Sequence, residues 1–305
     1  MPHDDSPCYH EPVLVREILA AALGARRVVD ATLGDGGHAA AFLAAGAEVL
    51  GIDRDPEAIR RAQSRLAGAS LTVWHGRYDD PAILARVRAF GPEFILLDLG
   101  VSSRQLDDDT LGFSFRPGAP LDMRMDRAGP SAAVLLNSLP AEALGRILHD
   151  YGDEPKARRM AAEIVRRRER VPFRVSDDLV GAIRAVLGAR SGPGDFARLF
   201  QAVRIAVNDE LERLGGVLPL FRDALAPAGA LAVISYHSGE DRVVKHAFHD
   251  WARRCVCPSE WPVCRCRGRP LGREEPRRPI LPSVEEVIAN PRARSAKLRV
   301  FRVSP

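Results

Sequence analysis

Lysine is almost absent from this chain: of 44 basic residues only Lys156, Lys245 and Lys297 are lysine, and the rest are arginine. An arginine bias of this kind follows from a GC-rich genome, so phosphate binding is read only from local clustering, because a patch rather than a composition binds a polyanion. Long apolar runs are missing too: none reaches the roughly 20 residues needed to span a bilayer. The first residues, Met1 to Ser6, have neither the basic nor the apolar region of a secretion signal. A cytoplasmic protein is expected. Cysteine is scarce, with five residues, which excludes a disulfide scaffold.

What is present is a sizeable hydrophobic fraction, 46% over 305 residues, with a net charge of +4. That suffices for a full catalytic domain and a smaller second one. Two basic clusters stand out. One comprises Lys156, Arg158, Arg159, Arg166, Arg167, Arg168, Arg170 and Arg174; the other is dense from Arg253 to Arg278.

From Val28 to Asp98 short β-rich runs alternate with helical stretches, the pattern of βαβ units and a parallel sheet. Strands are expected at Val28–Ala31, Glu48–Asp53, Leu71–Trp74 and Phe94–Asp98, with helices at Ala39–Ala45, Pro56–Leu66 and Pro81–Phe90. Asp55-Pro56 reads as a helix start, a capping acid followed by proline at the first helical position. The next strand, Ala230–Ser235, lies some 130 residues on, far more than one crossover requires. The interval reads as helices at Ala141–Tyr151, Glu154–Arg170, Asp177–Leu187 capped by Ser176, and Phe196–Leu214. Helix Val217–Leu225 then returns to the sheet. Helix Asp241–Arg253 and a last strand, Lys297–Val303, close the chain.

The first strand leads into Asp30-Ala-Thr-Leu-Gly34-Asp-Gly36-Gly37-His38 and a helix. Glycines there let backbone approach a ligand closely, and a helix start offers unpaired N–H groups. Asp53 ends the second strand, where an acid accepts hydrogen bonds from both ribose hydroxyls of an adenosine-containing cofactor. Gly34-x-Gly36-x-x-Ala39 formally fits a dinucleotide fingerprint, so a nicotinamide-dependent oxidoreductase is an alternative. An RNA-binding protein without activity is a further one. Two features favour S-adenosylmethionine. Asp30, ahead of the glycines, suits a cationic amino-acid end better than a pyrophosphate, and Asp98-Leu-Gly-Val-Ser-Ser103 sets polar groups at the fourth strand's carboxyl end, beside the switch-point crevice.

Methyl transfer from a sulfonium is an in-line displacement in which the enzyme mainly aligns the partners. An exocyclic base amine is a weak nucleophile, because its lone pair is delocalised into the ring. Asp98, with the carbonyls of Leu99 and Gly100, is placed to accept its hydrogens and free that lone pair; the competing role for Asp98 is to hold the cofactor's ammonium. At the end of the fifth strand, Ser235-Tyr-His-Ser-Gly-Glu-Asp-Arg242 is more polar than a turn requires, and His237 is the candidate there for a substrate-side role.

The order of these motifs resembles the bacterial MraW-type family, methyltransferases that modify the N4 atom of a cytosine in the decoding centre of 16S ribosomal RNA. The resemblance begins at His10-Glu-Pro-Val13 and the glycine loop, and runs through Asp98-Leu-Gly-Val-Ser-Ser-x-Gln105-Leu-Asp107, Gly112-Phe-Ser-Phe115 and Pro120-Leu-Asp-Met-Arg-Met-Asp126. It continues in Phe200-Gln-Ala-Val-Arg-Ile205, Ser235-Tyr-His-Ser-x-Glu-Asp-Arg242 and Asn290-Pro-Arg-Ala-Arg-Ser295. It implies that Gly36, Gly37, His38, Asp53, Tyr78, Asp98 and Gln105 contact S-adenosylmethionine, with Tyr78 packing on the adenine. The implied partner is 16S ribosomal RNA in the small subunit, with neither DNA nor a membrane. Gly239 stands where the family usually has an apolar residue.

The expected fold is therefore an α/β class I (Rossmann-like) methyltransferase sheet with an inserted helical domain. Residues 1–104 and 216–305 are expected to form the discontinuous methyltransferase domain, and 105–215 the insertion. Four cysteines form Cys255-x-Cys257-x6-Cys264-x-Cys266. Four thiolates suit tetrahedral Zn²⁺, but paired C-x-C is not the usual knuckle spacing and the segment occurs in only part of the family, so no metal is expected. A thiol nucleophile serves carbon-5 rather than amine methylation, and the cysteines are expected to order a loop.

Overall fold

The computed structural model describes residues 12–102, 108–126, 128–258, 260 and 262–305. Two compact units emerge, one of Met1–Gly100 with Glu212–Pro305 and one of Val101–Leu211.

The first unit is built on a seven-stranded sheet: β1 (Arg27–Asp30), β2 (Glu48–Asp53), β3 (Leu71–His75), β4 (Phe94–Asp98), β5 (Ala230–Ser235), β6 (Gly272–Glu274) and β7 (Lys297–Val303). Their spatial order is β3-β2-β1-β4-β5-β7-β6. The first five are parallel; β7 runs antiparallel to both neighbours. A dinucleotide fold in the order 3-2-1-4-5-6 has no such reversed strand between its fifth and sixth. The oxidoreductase alternative therefore loses its structural basis.

Both faces of the sheet are covered, which is why its central strands read as unbroken apolar runs. Alternation sends Val29, Ile95, Leu97 and Val233 to one core and Val28, Phe94, Leu96 and Ala232 to the other. Helices α1 (Val15–Ala21), α2 (Gly37–Ala44), α3 (Pro56–Arg65) and α4 (Pro81–Phe90) follow the early chain. Asp55 and Asp80 each cap a helix through the amide two residues on, and Pro56 and Pro81 take the first helical position.

The second unit is helical: α5 (Ala132–Ser138), α6 (Ala141–Asp150), α7 (Ala157–Arg168), α8 (Ser176–Leu187) and α9 (Pro193–Asn208). Phe113, Met123, Leu136, Leu148, Met160, Ile164, Phe173, Ile183 and Phe200 fill its core. Asn208 pins the Pro120–Asp126 segment, its amide donating to the Met123 carbonyl at 2.8 Å while its oxygen accepts from Met125 N–H at 3.0 Å. Gly112, at φ +72°, has to be glycine, because a Cβ there would collide with the Pro120 carbonyl.

Three expectations need correcting. Ser176 does not cap its helix; its hydroxyl donates to Arg116 O at 2.6 Å, and the Asp178 carboxylate takes the Arg174 and Val175 amides instead. The helix expected over Phe196–Leu214 ends at Asp209, which is left-handed at φ 51°. Helix α10 (Glu210–Ala224) then passes straight through Gly215-Gly216, where a break was expected. The pair costs roughly 1 kcal/mol per glycine, whereas Leu214, Val217, Leu218 and Phe221 on one face are each buried at about 1.5–3 kcal/mol apiece. Burial wins.

After β5 comes α11 (Ser238–Ala252), and α12 (Val284–Ala289) precedes β7. Among the described residues no helix is long and apolar enough to cross a membrane.

Candidate functional site

The strand order reverses between β1 and β4, so their carboxyl ends open the crevice in which such sheets bind ligands. Asp30, Asp53 and Asp98 end β1, β2 and β4. Three acids gathered at one sheet edge repel one another, and burial compounds the effect.

Asp30 is 1% exposed; Oδ1 accepts from Thr32 N–H at 3.3 Å, and Oδ2 is buried without a hydrogen-bond partner. Burial pushes its carboxyl up to about 6, against the opposing pull of His38. Burial in turn lowers the His38 imidazole against the pull of Asp30, which favours its neutral form.

Asp53 organises the glycine loop. Its Oδ2 accepts Gly34 N–H at 2.7 Å and its Oδ1 accepts Asp55 N–H at 2.8 Å. Burial raises its pKa and these two bonds oppose the rise. A carboxylate has about four acceptor positions, so lone pairs remain for a ribose. Gly36 is fixed by packing as well as by φ +77°: a Cβ would lie 2.9 Å from Leu66 Cδ1 and 3.2 Å from Ala62 Cβ of α3. Its own amide is bound to Leu33 O at 2.9 Å. Gly37 and His38 open α2, in the first turn whose amides have no partner inside the helix.

His38 Nε2 lies 2.9 Å from Val13 O, so this nitrogen donates and Nδ1 carries the lone pair. Nδ1 faces Asp98 Oδ2 at 3.7 Å. The Asp98 side chain retains 24% exposure, whereas Asp30 is buried. Thr32 Oγ1 accepts the Asp98 N–H at 2.7 Å, and Tyr236 Oη donates to Asp98 Oδ1 at 2.9 Å. Burial raises the Asp98 carboxyl to about 7, the Tyr236 bond opposing and Glu240 adding to the rise.

Tyr236 and Glu240 escaped the sequence reading as individual residues. Glu240 is 2% exposed and its Oε2 accepts the Tyr236 N–H at 2.8 Å. The missed signal was register: Asp98 pairs with Ile234 across the parallel strands, and the residue two beyond Ile234 returns to the same face.

His237 is placed otherwise than a substrate-side role requires. It is the N-cap of α11, accepting Glu240 N–H on Nδ1 at 3.4 Å, and its side chain is 7% exposed. Its buried Nε2 stands 3.3 Å from Glu240 Oε1 without good hydrogen-bond geometry. Tyr78 packs its ring 6.4 Å from that of Phe221, at the margin of the core. Gln105, and His10-Glu11 at the start of the family motif, lie outside the described residues.

Of the basic cluster in α7, Arg166 and Arg167 both bond Glu163, at 2.7–2.8 Å. Arg168 donates to Leu136 O and Leu139 O and so serves the C-terminal end of α5. Arg158, Arg159 and Arg170 are exposed.

The profile of the MraW methylase family matches residues 7–304. Relatives called ribosomal RNA small subunit methyltransferase H align nearly end to end. That of Gemmatimonas aurantiaca is 54% identical over 304 residues, covering 96% of this chain and 95% of its own. Those of Rubrobacter xylanophilus and Heliobacterium modesticaldum are 46% and 44% identical, each covering at least 95% of both chains.

Proposed function

The chain belongs to the MraW methylase family, and on that premise we propose that it transfers a methyl group from S-adenosylmethionine to the N4 atom of a decoding-centre cytosine in 16S ribosomal RNA. The observation that carries the chemistry is Asp98 at the mouth of the crevice, with Oδ1 engaged by Tyr236 and Oδ2 turned to a lone pair of His38.

The residues present fit the cofactor. A buried carboxylate oxygen without a partner on Asp30, beside two further raised acids, is an excess of negative charge that a sulfonium and an ammonium neutralise. Asp53 would hold the ribose hydroxyls, Tyr78 would line the adenine, and the α2 amides at Gly37 and His38 would take the carboxylate end. Gly36 contributes shape. When bound, S-adenosylmethionine supplies an electrophilic methyl carbon.

The chain's own work is done by Asp98. Its Oδ2 accepts a hydrogen of the cytosine amine, which turns the nitrogen lone pair towards the methyl carbon. With S-adenosylmethionine bound, the methyl–sulfur bond would break as the N–C bond forms and the thioether would leave as S-adenosylhomocysteine, while Asp98 takes the proton the amine gives up and passes it to water. A carboxyl near 7 is matched to that exchange at neutral pH. Tyr236 keeps the carboxylate aimed and His38 offers no competing donor.

Unit 101–211 is taken as the RNA-binding insertion. A cytosine amine is hidden in the deep groove of A-form RNA, so recognition rests on shape and phosphate contacts, with the base exposed or flipped. The test is transfer of labelled methyl to small subunits lacking the modification, compared with a short oligonucleotide of the same sequence. Strong transfer to the subunit and weak transfer to the oligonucleotide is expected; no transfer to either sinks the reading.

A further inference from the structure

Between α11 and β6 the chain makes two tight C-x-C turns that face each other. The sulfurs of Cys255 and Cys264 are 3.6 Å apart, those of Cys264 and Cys266 3.5 Å, and those of Cys255 and Cys266 3.8 Å. All four sulfurs, Cys257 included, lie within 4.8 Å of one another. A disulfide needs about 2.05 Å, so none of these is one. A tetrahedron of sulfurs at 2.3 Å from a central Zn²⁺ has an edge of about 3.8 Å. The observed separations match that edge.

The backbone repeats the correspondence. Val256, between the first two cysteines, donates its N–H to Cys266 Sγ at 3.4 Å; Arg265, between the second two, donates to Cys257 Sγ at 3.3 Å. Each turn thus supports a sulfur of the other in a near two-fold arrangement. Amide donors aimed at sulfur favour thiolate, the form that binds metal. Four thiolates around one Zn²⁺ carry a net charge of −2, and the flanking sequence is rich in arginine, with Arg253, Arg254, Arg265, Arg267 and Arg269.

We propose that Cys255, Cys257, Cys264 and Cys266 form a structural Zn²⁺ site. This reverses the expectation from spacing alone: sequential pairs of the C-x₂-C kind are not required when two C-x-C turns interlock. All four positions are filled by protein, so the ion has no open place for substrate or water and its role is to hold the loop. It is held to the sheet domain by Arg267, next to Cys266, which donates to the carbonyls of Asp250, Trp251 and Arg253 at the end of α11. Leu271 N–H closes the loop on Trp251 O at 2.8 Å. Binding releases the thiol protons to solvent.

The test uses the full chain, expressed without a histidine tag and purified under reducing conditions without chelator. Elemental analysis is expected to find zinc equimolar with protein. Exchange for Co²⁺ is expected to give the intense visible bands and sulfur-to-metal charge-transfer absorption of a tetrahedral thiolate site. Cys257→Ser with Cys266→Ser is expected to lose the metal while S-adenosylmethionine affinity stays. Wild-type protein that is metal-free with four reactive thiols, that takes up Co²⁺ without tetrahedral thiolate bands, or that holds two disulfides overturns the site; since it is read from the wild type, the result stands even if the variants fail to fold.

Discussion

Tyr236 donates its hydroxyl to Asp98 Oδ1 at 2.9 Å, bridging the carboxyl ends of neighbouring strands β4 and β5. The bond holds one oxygen of the carboxylate and leaves the other to the crevice. It also opposes the burial that raises Asp98. Tyr236→Phe should therefore raise the Asp98 pKa further, moving the acid limb of the rate–pH profile upward and slowing turnover most at low pH. Cofactor affinity should change little, and raising the pH should restore much of the rate. An unshifted profile with uniformly lower turnover would make Tyr236 a packing residue only.

Asp98→Asn should separate stability from catalysis. Because the folded pKa, about 7, lies above the unfolded value of 3.8, the native state holds more protons across that window. Stability is thus greatest below the unfolded pKa and falls as pH rises through 7. Asparagine removes the buried charge, still accepts from Tyr236, and turns an N–H towards the lone pair of His38. At pH 8 the variant without cofactor should be more stable by on the order of 1–2 kcal/mol, a fraction of the full shift because the group is partly exposed. Turnover at saturating cofactor should collapse. Thermal melts at pH 5 and pH 8 with parallel rate assays check both halves; surviving turnover with weakened cofactor binding would make Asp98 a cofactor ligand instead.

Asp53→Ala should weaken S-adenosylmethionine binding by roughly 2–3 kcal/mol, because a charged acceptor is removed. Asp53 also takes the Gly34 and Asp55 amides, so the substitution should lower fold stability by about 1–3 kcal/mol as well. Calorimetric titration of protein kept below its melting transition reads the first effect alone. Unchanged affinity would place Asp53 outside the site.

For the RNA surface, Arg159→Gln with Arg170→Gln should flatten the dependence of binding on salt. The slope of log affinity against log salt should shrink by about one for each phosphate that is no longer neutralised. Arg166→Gln should do less than either, because Glu163 already engages its guanidinium on two oxygens. Binding of small subunits across a salt series measures the slopes. An equal effect from Arg166 would mean that RNA displaces Glu163.

The sheet was legible because each strand carries its own signature. Glu48–Asp53, Phe94–Asp98 and Ala230–Ser235, read from apolar runs, and Lys297–Val303, read from alternation, have the same bounds in the structure. The reversal of β7 and the short β6 were not legible, since strand direction depends on partners far along the chain. Asp30, Asp53 and Asp98 were found because acids at strand ends are local. Tyr236 acts through register across β4 and β5, Glu240 through the first turn of α11, and the cysteines through two facing turns. The strand register has no signal in sequence spacing, and the paired C-x-C spacing showed four thiols without showing that their turns interlock. The Gly215-Gly216 break failed for the converse reason: a local signal was outweighed by burial.

The central claim is methylation of a cytosine amine through Asp98. It is tested most directly by incubating small subunits that lack the modification with S-adenosylmethionine and either wild-type or Asp98→Asn protein, then digesting the RNA and measuring modified nucleosides by mass spectrometry. Wild type is expected to give N4-methylcytidine approaching one per subunit, and the variant none above background. Methyl groups on carbon-5, on ribose or on another base, or equal N4-methylcytidine from both proteins, would contradict it.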